Sequence, residues 1–448
     1  MLNEYLIKDL VSDVIDNRGK SPEYHHEITE YPIIEVNSIR GDRAFPIEDK
    51  FKKFVSKEVY ENWFRNGHPQ KNDVLISTVG SGNIGEVALF NERGCIAQNL
   101  IALRFKKELC NQEFIYYLFS SKRYKSMLVN LDIGSAQPSI KVPHILNSTI
   151  HIPDLRYQEL AANLLTRLDK KIELNKKMNK TLEEIAKTLF KSWFIDFDPV
   201  RAKAEGRPTG LSKEISDLFP ESLEDSELGQ IPSGWKIEKL GHHVNLTKGK
   251  SYKSAELQES DTALVTLKSF QRNGGYREDG LKEYIGSYKD EQIVSDGDLI
   301  VAFTDVTQAA DVIGKPAIVI GNPNYSRLVI SLDVGVIRVV PESILTNAFI
   351  YFLMLSNRYA SNSLGYTNGT NVLHLKKEAI TEYDFCLPNN NSLLKIYNDI
   401  SINMLEKVSK NSLENITLEK LRYTLLPKLI SGELKIPDAE NLVEKAGI

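Results

Sequence analysis

Apolar residues recur every three or four positions along NKKMNKTLEEIAKTLFKSWF (residues 175–194), the period of one helix face. A paraphrase of that stretch, NSLENITLEKLRYTLLPKLI, occupies residues 411–430. The apolar positions of the first pattern are Leu164, Leu168, Ile172, Leu182, Ile185, Leu189 and Trp193. Those of the second are Ile400, Met404, Val408, Leu418, Leu421, Leu425 and Leu429. Such spacing over about four heptads predicts a coiled-coil seam, roughly 45 Å long at 1.5 Å per residue. Asparagines stand at matching places in both, Asn175 and Asn179 against Asn411 and Asn415. A seam asparagine costs stability and specifies register, and antiparallel pairing brings the four together at a pseudo-twofold axis.

Ahead of each helix the period shortens to that of strands bounded by turn residues. YPIIEV, DVLIST, EVALF, IALRF and TIHIP precede the first; ALVTL, DLIVAF, PAIVI, VGVIRVV and YDFCLP precede the second. The two halves are one unit repeated. FIYYLFSSKRYKSM (114–127) lies over FIYFLMLSNRYASN (349–362) without a gap, pairing Phe114 with Phe349, Arg123 with Arg358 and Tyr124 with Tyr359. The match runs on through Gly134 with Gly369 to Pro153 with Pro388. Earlier matches are looser: Asn17-Arg-Gly-Lys-Ser21 falls near Thr247-Lys-Gly-Lys-Ser251, and Asp73-Val-Leu-Ile near Asp298-Leu-Ile-Val. Between the halves, Gly206, Pro208 and Gly210 mark a surface connection. The fold class is α+β: two β-rich domains in tandem, each followed by a long helix, the helices pairing as an antiparallel coiled coil with pseudo-twofold symmetry. The expected segments are 1–153, 154–198 (helical), 199–230 (linker), 231–388, 389–434 (helical) and 435–448 (tail).

At 448 residues the chain exceeds one core. No apolar run approaches the ~18 residues of a membrane span. Three dispersed cysteines, Cys95, Cys110 and Cys386, fit a reducing cytoplasm, the expected location. The net charge of −4, with 19 Lys+Arg against 19 Asp+Glu in residues 1–150, gives no overall basic bias. DNA binding then needs local patches or a partner that supplies phosphate contacts.

Four stretches carry a family resemblance: LFKSWFIDFDPVRAKAEGRPTG (189–210), LFPESLEDSELGQIPSGW (218–235), GSAQP (134–138) and LLPKLISGEL (425–434). In these, and in the order of its parts, nearly the whole chain resembles the specificity subunit of type I restriction–modification systems. The resemblance implies two target-recognition domains, each reading half of a split double-stranded DNA site. It implies helical spacer regions that dock two modification subunits, which hold S-adenosylmethionine and methylate adenine. Restriction subunits using ATP and Mg²⁺ complete such a complex, and the specificity subunit itself has neither a catalytic centre nor a cofactor. A 45 Å rod matches about 13 base pairs, close to one helical turn. The second half departs from GSAQP, carrying Gly369-Thr-Asn-Val-Leu373, as expected if the halves read different words.

Candidate DNA contacts are polar and basic residues in Gly/Pro-bounded loops at matching places, where Arg and Lys suit guanine or phosphate and Asn and Gln suit adenine. In the first half these are Arg18, Lys20, Asn37, Ser38, Arg40, Thr78, Ser81, Asn83, Ser135 and Gln137. In the second they are Lys248, Lys250, Ser251, Lys268, Gln271, Arg272, Thr304, Gln308, Thr367, Asn368 and Asn371. The candidate helix and subunit interface comprises Leu168, Ile172, Asn175, Asn179, Leu182, Leu189, Trp193 and Phe194, with Met404, Val408, Asn411, Asn415, Leu418 and Leu425. Trp193 and Phe194 admit two readings, core packing or a hydrophobic dock for a modification subunit.

Other motifs are weaker. Gly80-Ser-Gly82-Asn-Ile-Gly85 is a GxGxxG, but strand-like sequence follows where a dinucleotide site needs a helix. Asn322-Pro-Asn-Tyr325 is similar to an amino-methyltransferase loop but lacks its second proline. The histidines show no metal-ligand spacing. A stand-alone nucleotide-dependent enzyme and a coiled-coil scaffold without DNA specificity remain the alternatives.

Overall fold

The computed structural model describes residues 2–39, 43–80, 84–134, 138–307, 309–369 and 372–445. Both helical phrases form single helices, α1 (Leu155–Phe190) and α2 (Asn391–Ile430). The chain divides into two compact units, Met1–Glu173 with Thr417–Ile448, and Leu174–Ile416. Each unit therefore holds one sheet-bearing head and a stretch of both long helices. Beyond Phe190 the helix ends in a single π turn, Lys191–Ile195, and a left-handed Phe197 (φ 57°) redirects the chain into Asp198–Ala204.

In the first unit, β1 (Val11–Ile15), β2 (Val74–Ser77), β3 (Val87–Leu89) and β4 (Leu100–Phe105) form an antiparallel sheet in the order β1-β4-β2-β3. A short parallel pair, Ile33–Ile34 with Cys95–Ile96, lies beside it in sequence, and Asn3–Leu6 pairs with Thr149–Ile152. One core holds Val74, Ile101 and Leu103 of the sheet, Phe114 and Leu118 of helix Gln112–Ser120, Leu165 and Leu168 of α1, and Leu418 and Leu425 of α2. Residues 435–448, expected as a tail, contain a docked helix, α3 (Ile436–Lys445), with Ile436, Ala439 and Val443 buried in that core. The Tyr157 hydroxyl donates to the Leu434 carbonyl at 2.7 Å just ahead of it.

The second unit repeats this plan. Strands β5 (Val244–Lys248), β6 (Leu299–Ala302), β7 (Pro316–Ile318) and β8 (Val334–Val339) take the order β5-β8-β6-β7. The parallel pair recurs as Thr262–Val265 with Arg327–Ile330, and the terminal pair as Lys236–Lys239 with Asp384–Leu387. Even the helix caps correspond. Asn111 accepts from the Phe114 amide at 2.8 Å, and Thr346 accepts from the Phe349 amide at 3.2 Å. Gly206, Pro208 and Gly210 lie on the surface, while Val200 and Phe219 on either side are buried in the second head's core.

All ten expected strand segments contain strands, because each is a run rich in branched and aromatic residues, most of them buried on both faces; Thr149–Ile152 alternates between buried and solvent-facing positions instead. Among the strands absent from that reading are β1 and β5, one edge strand of each four-stranded sheet. Their sequences, VSDVI and VNLTK, mix polar residues into a half-exposed pattern. The ladders also shift one sequence match. Ile15 pairs with Ala102 and Thr247 with Val336, so Asp16 and Lys248 are equivalent in register, two residues away from the NRGKS–TKGKS alignment. The DVLI–DLIV match holds: Val74 faces Leu103 as Leu299 faces Ile337. The flanks of the GxGxxG stretch, β2 and β3, are an antiparallel pair, and the residue after the motif leads into a strand where a dinucleotide turn needs a helix. Asn322–Tyr325 is a turn in which the Asn322 side chain accepts from the Asn324 amide. Among the described residues no helix is long and apolar enough to cross a membrane.

Candidate helix seam and nucleic-acid interface

Within the second unit, α1 and α2 run antiparallel and the seam asparagines meet. Asn175 Nδ2 donates to Asn415 Oδ1 at 3.0 Å and to Glu414 Oε2 at 2.7 Å. Asn411 Nδ2 donates to Asn179 Oδ1 at 2.8 Å, and Asn179 Nδ2 reaches Ser412 Oγ at 3.1 Å. The two asparagine pairs exchange under the repeat, which gives the pairing its pseudo-twofold character. Asn175, Asn411 and Asn415 are buried, so each amide depends on these partners.

One seam position differs from the sequence pattern. Ile185 is 47% exposed, whereas Ala186 is fully buried. A small residue lets the backbones approach, and the Tyr397 hydroxyl bonds the Ala186 carbonyl at 3.3 Å. Leu182, Leu189 and Met404 are half-buried and Val408 is buried. Trp193 and Phe194 are 2% and 3% exposed, packed edge-on against Phe219, Tyr397 and Phe349. They are core residues of the second head, which is the first of the two readings, and their burial leaves no face for a hydrophobic dock.

In the first unit, Leu168, Ile172, Leu418 and Leu425 are buried in the shared core. There a polar triad crosses the helices: the Tyr117 hydroxyl donates to Asp169 Oδ2 at 2.8 Å, and Arg422 Nη1 pairs with Asp169 Oδ1 at 2.9 Å. Burial opposes the Arg422 charge, but Asp169 outweighs it and raises the guanidinium's pKa. The repeat places Phe352, Leu405 and Ala186 at the corresponding positions of the second unit, all within an apolar core. Three polar partners have thus been replaced together by three apolar ones, the outcome expected for a network that is costly when broken in part.

The candidate DNA residues fall into three groups. Lys20, Asn37, Lys248, Ser251, Lys268, Gln271, Arg272 and Asn368 are exposed, and Arg18, Lys250 and Thr367 are half-buried. Ser38, Thr78 and Thr304 are buried and satisfied inside their heads, which removes them as surface contacts. Ser38 Oγ donates to the Glu35 carbonyl, Thr78 Oγ1 to the Asn99 carbonyl, and Thr304 Oγ1 to Asp333 Oδ1 at 2.6 Å. A short hydroxyl beside a strand end or turn bonds the nearest acceptor, a local competition that sequence polarity does not reveal. Arg40, Ser81, Asn83, Ser135, Gln137, Gln308 and Asn371 lie outside the described residues.

The acids that organise these loops went unread in the sequence. Asp16 accepts from Arg18 Nε and Nη2, both at 2.7 Å; burial favours its neutral form, but the arginine prevails and lowers its pKa. Asp305 is fully buried and accepts from Thr307 N, Thr307 Oγ1, Val312 N and Ile313 N at 2.7–3.2 Å. Burial again pushes its pKa up, and these four donors bring it below the usual range. The spacing Asp305-x-Thr307 was the available signal, an Asx turn. The three cysteines are buried thiols, each pushed by burial to a pKa of about 12. Among the described residues no cluster of His, Cys, Asp and Glu is arranged to hold a metal.

Residues 4–184 match the family described as type I restriction modification DNA specificity domain. The type I restriction enzyme HindI specificity subunit of Haemophilus influenzae is 24% identical over 416 residues, 82% of this chain and 87% of its own length. The MjaIX specificity subunit of Methanocaldococcus jannaschii is 26% identical over 336 residues, covering 73% and 70% of the two chains. The crystal structure of a type I restriction–modification S subunit from M. genitalium shares the fold, with a TM-score of 0.58 at 14% identity over 96% of each chain. The repeated heads, the antiparallel helices and these matches agree: residues 4–184 match a type I restriction modification DNA specificity domain, and the chain as a whole is similar to type I restriction enzyme specificity subunits and shares the fold of an S subunit.

Proposed function

We propose that the chain reads a split DNA target, one half with each head, without catalytic chemistry of its own. It assembles with two modification subunits, which carry S-adenosylmethionine and methylate adenine, and with restriction subunits that use ATP and Mg²⁺. Its paired helical regions act as the spacer between the two halves, in the cytoplasm. The supporting observation is that one sheet topology is built twice with different loop chemistry. Asp16 with Arg18 stands in one head where Lys248 stands in the other. Two copies of a scaffold with unlike contact residues suit two different short words. The near-neutral charge balance fits a reader whose partners supply much of the phosphate grip.

Genome-wide mapping of methyladenine in the native host tests this reading. The expected result is a motif of two defined halves separated by unspecified bases. Replacing residues 1–150 with those of another family member should alter one half alone. Methylation without sequence preference by the assembled complex would favour a scaffold instead.

A further inference from the structure

Arg18 stood among the candidate base contacts, yet its donors are already engaged. Nε and Nη2 hold the two oxygens of Asp16, and Nη1 bonds Thr78 Oγ1 at 3.2 Å and the Ile140 carbonyl at 3.3 Å. A guanidinium offers five N–H groups, and these four bonds leave one. The side chain is 21% exposed.

The elements it joins matter. Thr78 and Ile140 flank a crossing of two loops: the Ile140 amide donates to the Thr78 carbonyl at 2.8 Å, and Val79 bridges Ser139. The second head has the same crossing, with the Leu375 amide on the Phe303 carbonyl at 2.8 Å and Thr304 paired with His374. Its cation is held differently. Lys248, at the register position of Asp16, rests its ammonium 4.3 Å from the centroid of the Phe303 ring. The ring finds room because Gly335 lies opposite Lys248; a Cβ there would come within 2.5 Å of Phe303. So the first head ties its crossing with a carboxylate–guanidinium clasp, and the second rests the ammonium of an exposed lysine on an aromatic face.

We infer that Arg18 and Asp16 are positioning residues for the first half of the target: they fix the loop crossing at Thr78 and Ile140, and recognition by that head depends on the clasp. This inference rests on the proposed reading of a split site. A direct phosphate contact by Arg18 makes the opposite forecast. Under that alternative Arg18→Lys keeps most of its effect, any loss is uniform over sequences, and Asp16→Asn tightens binding by removing an acid.

The test uses the full chain in complex with its modification subunits. Binding is measured to a duplex carrying the mapped motif and to duplexes with one base pair changed in either half. A wild-type complex that shows no split motif overturns the underlying reading and the clasp with it. With the split motif present, Arg18→Lys and Asp16→Asn should each reduce discrimination in the first half by about tenfold, within the range of one good base contact. Discrimination in the second half, subunit association and thermal melting should remain as in wild type. Unchanged first-half discrimination, or equal loss in both halves, overturns the clasp while leaving the split reading intact. Should Arg18→Lys fail to fold, Thr78→Val, isosteric at a fully buried site, carries the test: a smaller first-half loss supports the clasp and none overturns it.

Discussion

Asn411 donates its side-chain amide to Asn179 across the helix pair, at 2.8 Å. Its repeat-related counterpart, Asn175 with Asn415, makes the same contact at 3.0 Å. Buried amides that satisfy one another permit one register; a slip by one turn leaves several without partners.

The single substitution Asn411→Leu should therefore destabilise the second unit by about 1–3 kcal/mol, the cost of stranding a buried polar partner. Replacing all four asparagines with leucine should strengthen apolar contact while loosening register and association state. Denaturant midpoints and light scattering check both. A quadruple variant that is monodisperse with wild-type helix pairing would show that the amides do not set the register.

The Tyr117–Asp169–Arg422 triad makes a sharper stability forecast. Asp169→Asn or Arg422→Met should cost about 3–5 kcal/mol, because the remaining partner is left buried. The triple variant Tyr117→Phe, Asp169→Leu, Arg422→Ala installs the residue types of Phe352, Leu405 and Ala186 and should recover most of that loss. Urea unfolding of the four proteins decides it, and a triple variant as weak as the singles sinks the interpretation.

Glu183 on α1 is held mostly out of water; that burial, with Glu184 adding repulsion, raises its carboxyl from 4.5 to about 7. A folded pKa above the unfolded value means the fold prefers the protonated acid. The penalty is absent below about pH 4.5, grows between there and about pH 7, and levels off above that at about 3 kcal/mol. Glu183→Gln should raise the melting temperature at pH 8 and leave it nearly unchanged at pH 4.5.

Lys248 is exposed, with its ammonium on the Phe303 ring. Lys248→Met should weaken DNA binding by the assembled complex about equally across sequences. It should also reduce the salt slope by about one, the signature of one lost phosphate contact. A change confined to one base position would make Lys248 a base reader instead.

The repeat, the two helical phrases and the ten strand segments were legible because each depends on neighbours within a few residues. Apolar periodicity marks which face needs burying, and runs of branched residues mark strands buried on both sides. The asparagine pairing followed as well, since matching positions in two helices admit one antiparallel meeting. The docked α3 did not, although its apolar positions were present, because nothing local says that the first head leaves a surface for Ile436, Ala439 and Val443.

What chain order alone could not settle is which groups find each other at a distance. Arg18 reaches partners 60 and 122 residues away, and Asp169 pairs with an arginine 253 residues on. Ala186 rather than Ile185 faces the partner helix because close backbone approach there favours the smaller side chain. Trp193 and Phe194, equally suited by composition to a dock or a core, became core when the second head closed over them. Periodicity is a local property of the polymer, whereas the choice of a hydrogen-bond partner, or of which apolar face is covered, is made only when remote strands and helices arrive and exclude water.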